Sequence, residues 1–470
     1  MSFYCLLSTV YSLMMLPEEF RRQPPAPLAP RPLNLPAAEE TLLANGLRVV
    51  VVEEHRLPLV SFRLAFRSGD SSDPPGLSGL TDILASMLTE GTETRSSRQL
   101  AEEAARYGAT LNAGASADTT TVAASTLSAY TGEVFELLAD VTLRPTFPES
   151  ELALAKDNAQ QNLIAQRAQP SFLATEALAR VLFGEHPYAV VSPTPESIEA
   201  MTRERLLAFH REKFSPAGAL LLVVGDVRRA EVVARAEELF GSWPARPVEE
   251  PRFPAPPERR ERVAYLVNRP GSAQANLIVA NLAIRRTHPD YFPFLVMHTI
   301  LGATASARLF MNLREEKGYT YGAYTQLDAR RHAGSFRATA EVRTPVAGAS
   351  LKEIFYEFER IRSEDVSEKE LADAQAYLTG VFPIRLETQE GLVDQLVQIR
   401  MHDLPADYLH TYRDNVQRVT REEVRRVANL YVTPDRAAVV VVGDAAEVRE
   451  QVAPYAARVE DFDAGKTKDN

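Results

Sequence analysis

The 470-residue chain has one cysteine, Cys5, and eight histidines, no two of them four residues apart. A lone cysteine excludes an intrachain disulfide framework and any thiolate metal site. The histidine spacing excludes the i, i+4 pair with which a helix grips zinc. No run of Lys or Arg occurs and the net charge is −11. That balance argues against nucleic acid and against an acidic membrane surface, and is compatible with basic peptides. Residues 3–16 are mostly apolar, but they fall short of the roughly 20 residues that span a bilayer, so no integral membrane segment is expected. The first basic residue is Arg21 and Met14-Met15-Leu16-Pro17 is a poor cleavage site for a secretory leader. A cytoplasmic location is favoured. A periplasmic one stays open should residues 1–16 act as a weak signal, and so does a start at Met15.

What is present is ordinary for a globular protein, with 45% hydrophobic and 24% charged residues in a length that suits two domains. An internal repeat fixes their number. Thr202-Arg203-Glu204 and Thr420-Arg421-Glu422 each open a helical stretch with Thr as N-cap. Pro216 and Pro434 follow, then the apolar runs ending Gly225-Asp226 and Gly443-Asp444, at a constant offset of 218. A period this long is a duplication of whole domains. Six prolines between Pro244 and Pro257 form an extended linker. The expected organisation is a Pro-rich lead-in over 1–36, a first domain over 37–243, a linker over 244–258, a second domain over 259–460 and a polar, disordered tail over 461–470. Strands at 47–53, 59–66 and 119–124 alternate with helices at 97–107 and 149–166. That mixture predicts an α+β fold, each domain a mostly antiparallel sheet with helices packed on it.

Residues 79–92 read Gly-Leu-Thr-Asp-Ile-Leu-Ala-Ser-Met-Leu-Thr-Glu-Gly-Thr. Leu80, Ile83, Leu84, Met87 and Leu88 make the buried stripe of an amphipathic helix, leaving Asp82, Ala85, Ser86 and Thr89 on another face. The segment resembles the zinc helix of the M16 (pitrilysin/insulinase, inverzincin) peptidases, which reads roughly G-x-x-H-x-x-E-H-M-x-F-x-G-T. Its three chemical positions fall on Asp82, Ala85 and Ser86. The third ligand of the family, a later Glu, falls near Gln160-Gln161-Asn162. A catalytic zinc takes three protein ligands and a water, and one carboxylate beside an Ala and a Ser does not supply them. No cofactor is expected on this chain.

The second domain keeps more. Residues 307–321 read Ala-Arg-Leu-Phe-Met-Asn-Leu-Arg-Glu-Glu-Lys-Gly-Tyr-Thr-Tyr, a helix with Leu309, Phe310 and Leu313 inward, ended by Gly318, then a strand. It resembles the family's S-R-L-F-x-x-L-R-E-x-x-G-x-x-Y segment. The resemblance implies that Arg314 and Tyr321 hold a peptide backbone and stabilise a tetrahedral intermediate. Taken alone, the same residues read as a solvated charged helix end and an aromatic-rich strand. His186-Pro187-Tyr188 is similar to the family's H-P-Y segment, with His186 a local hydrogen-bonding residue outside the site. Residues 112–120 resemble the strand beside the zinc and read here as an edge strand. Over 43–455 the resemblance implies a non-zinc subunit of a bacterial two-chain peptidase. Its expected partner is a zinc-bearing H-x-x-E-H homologue, forming a heterodimer acting on peptides. A non-proteolytic scaffold subunit with this fold is the alternative.

Overall fold

Each of the two repeats builds a six-stranded sheet. The computed structural model describes residues 32–463. The apolar stretch at 3–16 and residues 464–470 of the expected tail lie outside the described residues. The first sheet holds β1 (Ala38–Leu42), β2 (Arg48–Glu53), β3 (Leu59–Phe66), β4 (Thr110–Ala115), β5 (Thr120–Leu127) and β6 (Leu220–Gly225), ordered β1-β2-β6-β3-β5-β4. The second holds β7 (Val263–Asn268), β8 (Gln274–Ala283), β9 (Thr320–Ala329), β10 (Gly334–Arg343), β11 (Ala438–Gly443) and β12 (Arg458–Asp461), ordered β12-β7-β11-β8-β10-β9. Both are mostly antiparallel, with parallel pairing only of β2 with β6 and of β7 with β11 and β12. The repeated apolar runs form β6 and β11, buried at every position. Such runs belong at the centre of a sheet covered on both faces.

The offset of 218 holds in space. The helices Arg203–Lys213 and Arg421–Tyr431 start at Thr202 and Thr420, whose hydroxyls accept the backbone N–H of Arg205 and Glu423 at 3.4 and 3.2 Å. The same offset relates the helix Pro170–Phe183 to Gln389–Met401, and these two change places. The first, from the N-terminal lobe, packs Ala174, Ala177, Leu178 and Leu182 onto Ile278, Ala280, Val440 and Val442 of the second sheet. The second packs onto β3 and β6 of the first sheet. There Arg63 pairs with Asp394 at 3.1 Å, and Gln389 donates to the Leu59 carbonyl at 3.1 Å. Burying each such leucine contributes roughly 1.5–3 kcal/mol, so each lobe owes part of its core to the other.

No helix or strand lies between Phe240 and Val263. The linker is nonetheless held down. Phe253 sits between the rings of His186 and His332, with centroids 5.3 and 4.9 Å away, and Glu250 pairs with Arg331 at 2.6 Å. The expected disordered tail needs a correction at its start. Asp461 closes β12, and Phe462 packs edge-on against Tyr265, because an aromatic side chain there can finish the second core. One stretch of the described residues, Tyr291–Glu316, has the length and mean hydropathy (1.4) of a membrane span. Of its apolar window 61% is buried inside the second lobe, and Gly302 breaks its helical path, so it is a core element.

Candidate functional site

The helix Leu80–Met87 is anchored from below by Asp73, whose carboxylate accepts the backbone N–H of Gly79 (2.7 Å) and Thr81 (3.0 Å) and the Thr81 hydroxyl (2.5 Å). Leu80, Ile83, Leu84 and Met87 are buried as their spacing predicts. Asp82 and Ser86 lie one turn apart on the accessible face. Ala85 does not join them: it is fully buried, a correction to the expected polar face. The physical reason is angular, since Ala85 stands only one step of about 100° beyond Leu84 and a methyl group fits the seam toward the core.

Asp82 and Ser86 line a cavity of about 440 Å³ together with Glu90, Glu151, Asn158 and Asn162. The helix Glu149–Arg167 therefore does bring Asn162 opposite Asp82, while Gln160 and Gln161 point elsewhere. Glu90, Glu151 and Asn158 were not singled out from the sequence. Their only signal was that they fall one to three turns from recognised positions. Glu90 accepts the Ser97 hydroxyl at 2.6 Å, and the Ser86 hydroxyl donates to the Ile83 carbonyl at 2.9 Å. Zinc does not fit: Glu90 and Glu151 share the cavity with Asp82, but Glu90 is engaged with Ser97, the Ser86 hydroxyl is spent on backbone, and the other polar groups are amides. Among the described residues no three His, Cys, Asp or Glu side chains are placed to hold a metal.

Electrostatics beneath the helix are unusual. Burial pushes the Asp70 carboxyl up to about 8, with the charges of Asp82 and Asp73 adding to it. Burial also raises Asp73 to about 6 against the hydrogen bonds from Thr81 and Gly79. Asp82 is raised as well, because the concavity strips water from its carboxylate. One Asp70 oxygen is buried with no hydrogen-bond partner. The pattern is that of buried carboxyls crowded together, with the Arg330 charge opposing the shift at Asp70 without overcoming it.

Arg314 and Tyr321 lie in the second lobe, and neither lines the Asp82 cavity. Leu309, Phe310 and Leu313 point inward as expected, and Gly318 ends the helix at φ 63°. The helix is not regular, however. Met311–Glu316 winds as a π-turn, with the Lys317 N–H donating to the Asn312 carbonyl at 3.0 Å. Asn312 is held in turn by Glu353 and Glu357 at 3.1 and 2.9 Å. Such turns insert one residue and re-aim those that follow. The Arg314 guanidinium lies over the Phe310 ring, 4.8 Å from its centroid, and 3.5 Å from Glu315.

Tyr321 stands at a second irregularity. Thr320 pairs with Val342 and Ala323 with Ala340, so Tyr321 and Gly322 together oppose Glu341 alone. This is a β-bulge, and it breaks the alternation that would send Tyr321 inward with Ala323 and Thr325. Tyr321 is instead 90% exposed. β9 and β4 are the outer strands of their sheets, as the edge-strand reading of residues 112–120 expects. His186 accepts the Tyr188 N–H through Nδ1 at 3.1 Å, and burial lowers its pKa to about 4. It serves local structure at the join between the lobes.

Two family models match. "Insulinase (Peptidase family M16)" covers residues 48–192 and "Peptidase M16 inactive domain" covers residues 200–378. An uncharacterized zinc protease of Mycobacterium tuberculosis H37Rv is 27% identical over 424 residues, spanning 88% of this chain and 93% of that protein. The "non-peptidase homolog YmxG" of Helicobacter pylori is 24% identical over 382 residues, spanning 80% and 87%. Among solved structures, a peptidase M16 inactive domain from Pseudomonas fluorescens superposes with a TM-score of 0.81 at 28% identity, covering 86% of this chain and 98% of that one. A Helicobacter pylori protease shares the fold, with a TM-score of 0.80 at 20% identity, covering 87% and 100%.

Proposed function

The chain belongs to the M16 peptidase family, and from that membership we propose that it is the non-zinc subunit of a two-chain peptidase, lending Arg314 and Tyr321 to a zinc-bearing homologue. The observation that carries this reading is Tyr321. A bulged edge strand holds a large aromatic ring almost wholly in solvent, where it packs into no core among the described residues. The stripped helix around Asp82 supports the same division of labour, since the metal chemistry has to come from elsewhere. The expected partner is an M16 chain with an intact H-x-x-E-H, and its zinc supplies the activated water. This chain binds the peptide along its edge strands and aims the Arg314 N–H groups and the Tyr321 hydroxyl at the oxygen that gains charge.

Co-expression with such a homologue, followed by size-exclusion chromatography and a peptide-hydrolysis assay, tests the proposal. A stable complex is expected, with turnover that needs both chains. Separate elution at micromolar concentration, with activity indifferent to mixing, rejects it. A complex with no hydrolytic activity turns the reading toward the scaffold role.

A further inference from the structure

The open half of the second sheet carries a cation without a counter-ion. The helix Pro170–Phe183 packs over β7, β8 and β11. Beside its first turn a cavity of about 280 Å³ opens, floored by β8, β10 and β9. Arg337 of β10 lies in that floor, opposite Gln326 of β9. Its Nε and Nη2 both donate to one acceptor, the Gln326 side-chain oxygen, at 3.0 and 2.5 Å. Among the described residues its Nη1 has no hydrogen-bond partner and no carboxylate comes within ion-pair distance. Burial draws the guanidinium pKa below its ordinary value, with the more distant Asp328 opposing the shift. Glu341 also lines the cavity, but four residues along the strand places it roughly 13 Å away, too far to neutralise Arg337.

A half-buried charge left unpaired is unfavourable unless something else completes it. Elsewhere in this lobe the fold treats a buried guanidinium differently: Arg308 is met by both oxygens of Glu370 at 2.6 and 3.1 Å. Around Arg337 the remaining groups include the hydroxyl of Ser171, while those of Thr175 and Thr339 donate to the Ser171 and Tyr324 carbonyls at 3.0 and 3.4 Å. A guanidinium fork beside the Ser171 hydroxyl suits a planar anion. The cavity rim begins at Gly322, the residue after Tyr321.

We infer that this cavity is a subsite for a carboxylate of a bound peptide, either an acidic side chain or a free chain terminus. The inference rests on the reading of this chain as a peptide-handling subunit. Its test needs only the full chain by itself, so it can fail while two-chain turnover stands, and the reverse.

Three fluorescently labelled peptides of one sequence are compared by anisotropy: Gln with an amidated end, Glu with an amidated end, and Gln with a free carboxylate. At least one carboxylate peptide should bind about tenfold or more tightly than the neutral one, and which of them does so identifies the source. Arg337→Gln should remove the preference, Arg337→Lys should retain part of it, and Ser171→Trp, which fills the cavity mouth without touching Arg337, should also remove it. Thermal melts confirm that each variant folds, and Ser171→Trp decides the matter if Arg337→Gln does not. Equal binding of the three peptides overturns the inference. So does a preference that survives both Arg337→Gln and Ser171→Trp, or no binding up to about 1 mM, the weak end of specific affinities.

Discussion

A phenol ring held 90% exposed contributes little to the stability of the chain that carries it. Tyr321→Phe should therefore leave the melting temperature within a degree or two, while turnover by the reconstituted pair falls about 10²–10³-fold, the usual loss for one oxyanion donor. Arg314→Lys should fall similarly, because a point charge replaces a planar fork. Steady-state kinetics beside a thermal melt read both, and normal turnover by both variants removes these residues from the site. Asp70 offers the opposite kind of test, in which stability moves. Its folded pKa of about 8 lies above that of an unfolded Asp, so over that interval the folded state holds a proton that the unfolded state has lost. Stability drawn from this group is present at low pH and drains away as pH rises toward 8, by up to about 1.4 kcal/mol per unit. Asp70→Asn, which mimics the neutral carboxyl, should gain on the wild type steadily from pH 5 to 8 in urea melts. A constant difference across that range would show that Asp70 is ionised in the fold. At this scale the sequence was legible where apolar spacing decides burial, as with Leu80, Ile83, Leu84 and Met87. It was not legible where one step of helix rotation decides exposure, as with Ala85.

The elements repeat more faithfully than the residues within them. The apolar runs ending Gly225-Asp226 and Gly443-Asp444 look alike as text, and both form central strands. Their glycines do different work. Gly225 sits at φ 145°, and a Cβ there meets the Leu59 carbonyl oxygen at 2.2 Å, whereas a Cβ on Gly443 meets nothing closer than Ala275 at 3.3 Å. Gly225→Ala should thus cost at least about 2 kcal/mol, and Gly443→Ala less than about 1 kcal/mol, measured by chemical denaturation. Equal costs would mean that the β3–β6 edge yields more easily than its backbone contacts suggest. Helix starts, strand runs and the Gly318 stop were legible because each rests on local chemistry. The π-turn at Met311–Glu316 and the bulge at Tyr321 were not, since both arise from clamping by distant partners, Glu353 and Glu357 for one and β10 for the other.

At the scale of the whole molecule, the repeat was legible but the exchange of helices was not. Nothing in the local pattern of Pro170–Phe183 says which sheet it will cover, because an apolar stripe fits either. The exchange makes the lobes interdependent. Cutting the linker between Pro244 and Pro257 should leave two fragments that co-elute and melt in one transition. The first-domain fragment expressed alone should be insoluble or molten, for want of Gln389–Met401 over β3 and β6. Two well-separated calorimetric transitions in the intact chain would contradict this. The strands nearest the two ends of the chain hold one more consequence. β1 comes from the N-terminal side and β12 from the C-terminal side, yet each occupies the outer edge of its sheet opposite β4 or β9. Five strand spacings, roughly 24 Å, separate those edges from the ones that bear Asn112 and Tyr321. A segment added to β1 or β12 therefore extends the sheet edges opposite those that bear Asn112 and Tyr321, the strands proposed above to meet a peptide.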